Sequence, residues 1–128
     1  MTTLAQYIGI TASQARAITS RGFDLIDAGD LEGAADVFKG LLALDSNDAR
    51  IQAALGAVFH QQGKLPEAMA AYDVALSLDS DAVLARVNRG ELRCKRGDKG
   101  GVEDLKIAAR IPSAVQARAQ ALVRLYAQ

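Results

Sequence analysis

The chain reads as an all-α protein: three antiparallel helix pairs stacked side by side, with one further helix closing the end. Three observations predict this. Gly22, Gly56 and Gly90 stand 34 residues apart, and Gly29, Gly63 and Gly97 repeat the interval as a second series, the signature of a repeated two-helix unit. Half of the 128 residues are hydrophobic but only 5% are aromatic, Trp is absent, and the only prolines are Pro66 and Pro112, so the core is built mostly from Ala, Leu, Val and Ile in helices. Capping boxes at Thr11–Gln14 and Ser113–Gln116 frame the array and predict a helix start at each end.

The helices are expected at about 11–28, 31–44, 48–62, 66–78, 82–96, 99–110 and 113–127. In the first pair Gly22 and Leu25 lie on one helix, Asp30 is the N-cap of the next, and Ala34, Phe38, Leu41 and Leu42 supply its apolar stripe. In the second, Leu55, Gly56 and Phe59 share one side of a helix that ends in "QQGK", where Gly63 suits a left-handed cap. Pro66 sits at a helix start, where its missing N–H costs nothing. Ala68 and Tyr72, four apart, face the same way: the small residue admits the neighbouring helix and the ring fills the space beside it. Val74, Ala75, Leu76 and Leu78 complete that stripe.

The third pair departs from the pattern. Arg89 and Arg93 replace apolar neighbours of Gly90, and Lys106 stands where Phe38 and Tyr72 stood. Pro112 breaks the sixth helix. The last one, with Ala114, Ala117, Ala121, Leu122 and Leu125 on one side and Gln116, Arg118, Gln120 and Arg124 outside, caps the exposed end of the array. Before Thr11, Leu4, Tyr7 and Ile8 are spaced for one apolar face, which packs either on the first pair or on another copy of the chain.

At this length the chain is a single domain, 1–128, with units at about 15–48, 49–82 and 83–112 and the capping helix after them. Net charge is zero but unevenly spread: residues 1–82 carry 5 Lys+Arg against 11 Asp+Glu, a net of −6, and residues 83–128 carry 10 against 4, a net of +6. Such asymmetry either steers a partner or a second copy, or forms two solvated faces of opposite sign. No aromatics interleave with the C-terminal arginines, so nucleic acid is not an expected partner. No stretch reaches the roughly 20 apolar residues of a membrane span, no secretory signal precedes Thr11, and the single Cys94 fits a reducing compartment. A soluble, cytoplasmic protein is expected.

Reactive chemistry is not expected, and no metal or cofactor with it. His60 lacks a second His or Cys to complete a metal set or a nucleophile–base pair. Arg93, Lys95 and Arg96 would favour a Cys94 thiolate if the thiol were accessible. "KRGDKGG" at 95–101 lacks the glycine–lysine–serine/threonine ending of a phosphate loop and reads as a helix–helix turn. Asp24, Asp27 and Asp30 read as solvation and capping.

The 34-residue interval and the residues that carry it resemble the tetratricopeptide repeat family across residues 15–116. The resemblance implies a right-handed superhelix whose first helices line a concave groove, at positions 2, 5, 9, 12 and 13 counted from Ala15, Ala49 and Val83. These are Arg16, Thr19, Phe23, Ile26 and Asp27; Arg50, Ala53, Ala57, His60 and Gln61; and Leu84, Val87, Glu91, Cys94 and Lys95. Phe23, Ile26, Ala53, Ala57, Leu84 and Val87 would make an apolar floor for alternate side chains of an extended segment. Family members that clamp a C-terminal carboxylate use Lys at position 5 and Asn at position 9 of the first repeat; Thr19 and Phe23 stand there, so that ligand is not expected.

Residues 37–79 resemble more closely the class II chaperones of bacterial type III secretion. Phe38, Leu41, Leu44, Asp45, Asp48, Arg50, Leu55, Gly56, Ala57, Gln61 or Gln62, Gly63, Ala68, Tyr72 and Asp79 fall at the shared places. This likeness implies a non-catalytic chaperone that holds an extended hydrophobic segment of a secretion substrate, a translocator, in its groove, with a homodimer through the N-terminal segment. The alternative is a general tetratricopeptide scaffold that assembles another protein complex.

Overall fold

The structure, a computed structural model, describes residues 3–128; Met1 and Thr2, the first residues of the expected 1–128 span, lie outside the described residues. Eight helices follow in order: α1 (Leu4–Tyr7), α2 (Ala12–Asp27), α3 (Leu31–Leu44), α4 (Ala49–Gln61), α5 (Leu65–Leu78), α6 (Val83–Lys95), α7 (Gly100–Ala109) and α8 (Gln116–Tyr126). No strand occurs among the described residues. From α2 onward each helix packs chiefly on its chain neighbours, while α1 lies on α3, α4 also touches α6 and α6 touches α8.

Several helix ends form where the sequence places them. Thr11 Oγ1 accepts the Gln14 N–H at 3.1 Å and Gln14 Oε1 accepts the Thr11 N–H at 2.8 Å, a complete capping box. Asp30 Oδ1 accepts the Gly33 N–H at 2.9 Å. Gly29, Gly63 and Gly97 adopt φ of +82°, +76° and +78°, the left-handed conformation that costs glycine least. The residue after each returns its N–H to the helix: Asp30 to the Leu25 carbonyl, Lys64 to Phe59 and Asp98 to Arg93, at 2.8, 2.9 and 2.9 Å. These are Schellman closures, and the three pairs therefore turn alike.

Within the first two pairs the contact is a ring laid on a bare backbone. A Cβ built on Gly22 would meet the Phe38 ring at 2.7 Å, and one on Gly56 would meet the Tyr72 ring at 2.6 Å. Both rings are fully buried. Around Phe38 gather Ala34, Leu41, Ile51, Ala54 and Val58; around Tyr72, Ala53, Ala68, Ala75, Ala85 and Leu92. The Tyr72 hydroxyl is buried without a hydrogen-bond partner among the described residues, and burial, partly offset by the nearby Asn88 and Arg118, pushes its pKa up to about 12.

The third pair corrects the expected register. Gly90 faces Leu105 and Asp104, each 3.0 Å from a Cβ built on it, and Leu105 is fully buried while Lys106 is exposed. The cause is one residue fewer after the turn. Gly29 to Ala34 and Gly63 to Ala68 each span five positions, but Gly97 to Gly101 spans four. Gly101 thus takes the place of Ala68, Leu105 that of Tyr72 and Ala108 that of Ala75, all of them buried. With glycine on both helices, the α6 and α7 backbones touch directly at Gly90 and Gly101.

The same shift puts Asp104 where Val37 and Ala71 stood, and Asp104 is only 3% exposed. The arginines that broke the apolar pattern answer it. Arg89 binds it through Nε at 2.9 Å and Nη2 at 2.7 Å, a two-pronged pair that fits guanidinium geometry. Arg93 Nη1 reaches it at 3.0 Å and Arg86 Nη1 at 3.3 Å. Arg89 also donates to Asp73 of α5 at 3.0 Å, and Arg86 to the Ser80 carbonyl at 3.0 Å. One buried carboxylate so ties α6 to α7 and, through Arg89, to the second pair.

A second correction concerns the last helix, which begins at Gln116 with no side-chain cap. Ser113 Oγ accepts the Val115 N–H at 3.2 Å instead, and Gln116 Nε2 donates back to the Ala109 carbonyl at 3.1 Å. The Ser113–Gln116 box does not form because Gln116 satisfies the open end of α7.

Two substitution pairs test this account by chemical denaturation. Gly56→Ala forces a methyl into the Tyr72 ring and should cost about 1–3 kcal/mol, whereas Gly40→Ala, on α3 with nothing within 4 Å of its built Cβ, should stabilise by about 0.5–1 kcal/mol. Asp104→Ala leaves its guanidiniums without their buried carboxylate and should cost about 3–5 kcal/mol; Lys106→Ala, on the exposed side, should change stability by less than about 0.5 kcal/mol.

Candidate functional site

The residues expected on the concave face lie on the first helices α2, α4 and α6. They fall in rows at the 34-residue interval. Phe23, Ala57 and Glu91 make one row; Ile26, His60 and Cys94 a second; Arg16, Arg50 and Leu84 a third; Thr19, Ala53 and Val87 a fourth.

The rows differ in access. Phe23 is 47% exposed and Leu84 44%, large values for apolar side chains on ordered helices. The Phe23 ring stands edge-on against Phe38, centroids 5.3 Å apart, so the core wedge of the first pair also holds the exposed ring in place. Ile26, Ala57 and His60 are half-buried, and Arg16, Asp27, Gln61 and Lys95 are exposed. Thr19 is half-buried, its hydroxyl donating to the Ala15 carbonyl at 2.8 Å. The Arg50 side chain is 93% exposed.

Two residues expected on the floor lie in the core. Ala53 is 3% exposed and Val87 fully buried. Ala53 packs with Ala85 between α4 and α6, and Val87 packs with Leu105 and Ala119 beneath α8. Their row faces the adjoining helix, and only small or β-branched side chains fit there.

Glu91 is half-buried, and its surroundings oppose one another. Burial raises its pKa, but Lys95 at 3.1 Å and Arg118 at 3.2 Å outweigh burial and hold the carboxyl below its ordinary value. Arg118 also donates to Asn88 Oδ1 at 3.1 Å. Neither Arg118 nor Asn88 was among the expected site residues. The signal for Arg118 was present: it stands one more interval of 34 beyond Leu84.

Cys94 differs from the expectation built on its basic neighbours. Burial pushes its thiol pKa up, and Asp104, Asp98 and Glu91 push it further, because Arg93 turns to Asp104 and Lys95 to Glu91. The thiol lines a cleft of about 160 Å³ with Gly97, Asp98, Val102 and Tyr126.

At the other end α1 lies against α3, and Ala5, Gln6 and Ile10 help to line a cleft of about 260 Å³ with Thr19, Leu41, Leu44 and Ile51. The segment therefore packs on the first pair, though through these residues. Leu4, Tyr7 and Ile8 stay 50%, 84% and 56% exposed. No helix among the described residues is long and apolar enough to cross a membrane.

Stacked two-helix units closed by glycine turns, with apolar side chains exposed along the first helices, define a helical-repeat protein. The tetratricopeptide repeat pattern matches residues 20–83, half of the sequence, and the chain belongs to that family; its fold is the right-handed superhelix of helix pairs with a terminal helix. No curated protein sequence matches it. Among solved structures it is similar to the type III secretion translocator chaperone SycD of Yersinia enterocolitica, with TM-score 0.87, 22% identity and 98% of each chain covered. It is also similar to PcrH from Pseudomonas aeruginosa, with TM-score 0.83, 25% identity and 94% of this chain and 96% of that one covered. PcrH in complex with the chaperone binding region of PopD matches with TM-score 0.81 and 25% identity over 93% and 95% of the two chains.

Removing the Arg118 guanidinium tests the reading of the α6–α8 junction. A folded pKa held below the unfolded value stabilises the fold above the unfolded pKa, and that contribution is lost as pH falls through the folded pKa. Arg118→Ala should raise the Glu91 pKa, followed by NMR titration of its carboxyl carbon. It should also weaken the folded state at neutral pH by about 0.5–1 kcal/mol.

Proposed function

We propose that the protein is a non-catalytic, cytoplasmic chaperone that keeps an extended hydrophobic segment of a secretion substrate shielded in its concave groove. The carrying observation is the match to PcrH at 25% identity over nearly the full length of both chains, PcrH being a protein also found with the chaperone binding region of PopD bound. Phe23, Ile26, Ala57 and Leu84 form the receiving floor. Arg16, Thr19, Arg50, His60, Gln61 and Glu91 form its polar rim, while Ala53 and Val87 support it from below. Burying one apolar side chain of the guest against this floor contributes roughly 1–2 kcal/mol, so several seated together hold a segment that would otherwise aggregate. The exposed Leu4, Tyr7 and Ile8 offer a second copy an apolar strip, which supports a homodimer through the N-terminal segment. A general scaffold role is the second reading, favoured by the generic character of the matching family pattern.

Co-expression with a translocator from the same genome, followed by affinity capture, tests the groove. Ala57→Glu and, separately, Phe23→Ser should each reduce capture at least about tenfold while the thermal unfolding transition persists. A folded variant that captures undiminished cargo would remove the groove from the proposal.

A further inference from the structure

Three of four places at one register of the first helices and α8 are held by cations. Arg16, Arg50, Leu84 and Arg118 follow one another at intervals of 34. The fourth member belongs to the series structurally as well. Ile51, Ala85 and Ala119, also 34 apart, are 5%, 0% and 0% exposed, so α8 keeps the register of the first helices despite the residue missing between Gly97 and Gly101.

The junction of α6 and α8 displays what this position does. Arg118 reaches the carboxylate of Glu91 at 3.2 Å, and Glu91 belongs to the row of Phe23 and Ala57. A guanidinium at position 2 of one first helix thus takes a carboxylate at position 9 of the helix before it. Two intervals back the same two positions hold Arg50 and Phe23, so position 9 offers Arg50 no carboxylate. Arg50 approaches only Asp48, at 3.9 Å with its side chain 93% exposed, and Asp48 already accepts the Arg50 and Ile51 N–H groups as the cap of α4. Arg16 is exposed, and no ion pair involves it among the described residues. Both stand in a stretch, residues 1–82, with only 5 Lys+Arg against 11 Asp+Glu, so two of its few cations are set at one register on one edge.

We propose that Arg16 and Arg50 select a guest segment that carries two carboxylates three residues apart, beside the apolar side chains seated over Phe23 and Ala57. The inference rests on the groove-binding reading above and adds the charge of the guest to it. Packed helices lie about 8–10 Å apart, and Leu25 and Ile26 of α2 share one core cluster with Ile51, Ala54 and Val58 of α4. An extended chain of polyproline II type returns every third side chain to the same edge after about 9 Å. Carboxylates at such spacing meet successive guanidiniums, and the apolar residues between them remain free for the floor.

Three labelled dodecapeptides provide the probe. They share the same leucines and prolines and carry Glu, Gln or Lys at two positions three apart; binding to the full chain is read by fluorescence anisotropy. The Glu peptide should bind more tightly than the Gln peptide by about two- to fivefold per arginine, the Lys peptide more weakly, and the differences should shrink in 0.5 M salt, where screening is short-ranged. Arg16→Gln/Arg50→Gln, at two exposed positions and checked for an unchanged helical circular dichroism spectrum, should remove the preference for Glu over Gln. Equal binding of the Glu and Gln peptides by the native chain overturns the charge selection and leaves groove binding standing. A preference that survives in the double variant overturns the assignment to these arginines. Absence of binding by all three peptides overturns both readings.

Discussion

Everything in this fold depends on helix pairs approaching until a backbone bears directly on a side chain. At Gly22 and Gly56 a missing Cβ makes room for a buried aromatic ring. The approach is affordable to the helix because a glycine inside it costs only about 1 kcal/mol relative to alanine, less than the packing that a fully buried Phe or Tyr supplies. The left-handed glycines at the turns then fix how each pair closes. Since the Phe38 and Tyr72 rings and Leu105 point into the interface within each pair, other residues of the first helices stay accessible, Phe23 and Leu84 among them.

That dependence explains what was legible in the sequence. The glycine series, the ring positions in the first two pairs, the Thr11 box and the Asp30 cap depend on residues close in the chain, and interval counting finds them. The third pair resisted because one residue is missing between Gly97 and Gly101. A strict period carries Phe38 and Tyr72 onto Lys106, while the helix turns about 100° with that missing residue and presents Leu105. The four-residue interval was visible; its meaning needed the burial of Asp104 to decide it. The Ser113 box failed for another reason. Gln116 had a competing acceptor, the Ala109 carbonyl, which no local pattern reveals.

The side of the helix on which each expected groove residue lies was legible; its depth was not. Position counting separates sides of a helix, and it placed Phe23 and Leu84 where the structure exposes them. It could not tell that Ala53 and Val87 meet the next first helix, because that depends on how closely successive pairs stack. The small Ala53–Ala85 contact allows close stacking, and the closeness hides both residues.

The basic third unit follows from the same geometry. Its arginines read in the sequence as intrusions into an apolar stripe and as a reservoir of surface charge. Arg86, Arg89 and Arg93 instead converge on Asp104, with Arg93 also near Asp98 at 3.8 Å and Arg89 on Asp73. Three guanidiniums and three carboxylates balance, and one of those carboxylates comes from the acidic part of the chain. Replacing the apolar side chains of Val37 and Ala71 by a buried ion cluster does not make the junction stronger, since desolvation offsets much of the attraction. It makes the junction particular: α7 can dock on α6 only where Asp104 reaches all three arginines, whereas an apolar stripe tolerates sliding. With two glycines in contact and Leu105 in place of a ring, an ionic lock at that point helps to hold the last pair, and the helix that caps it, in register.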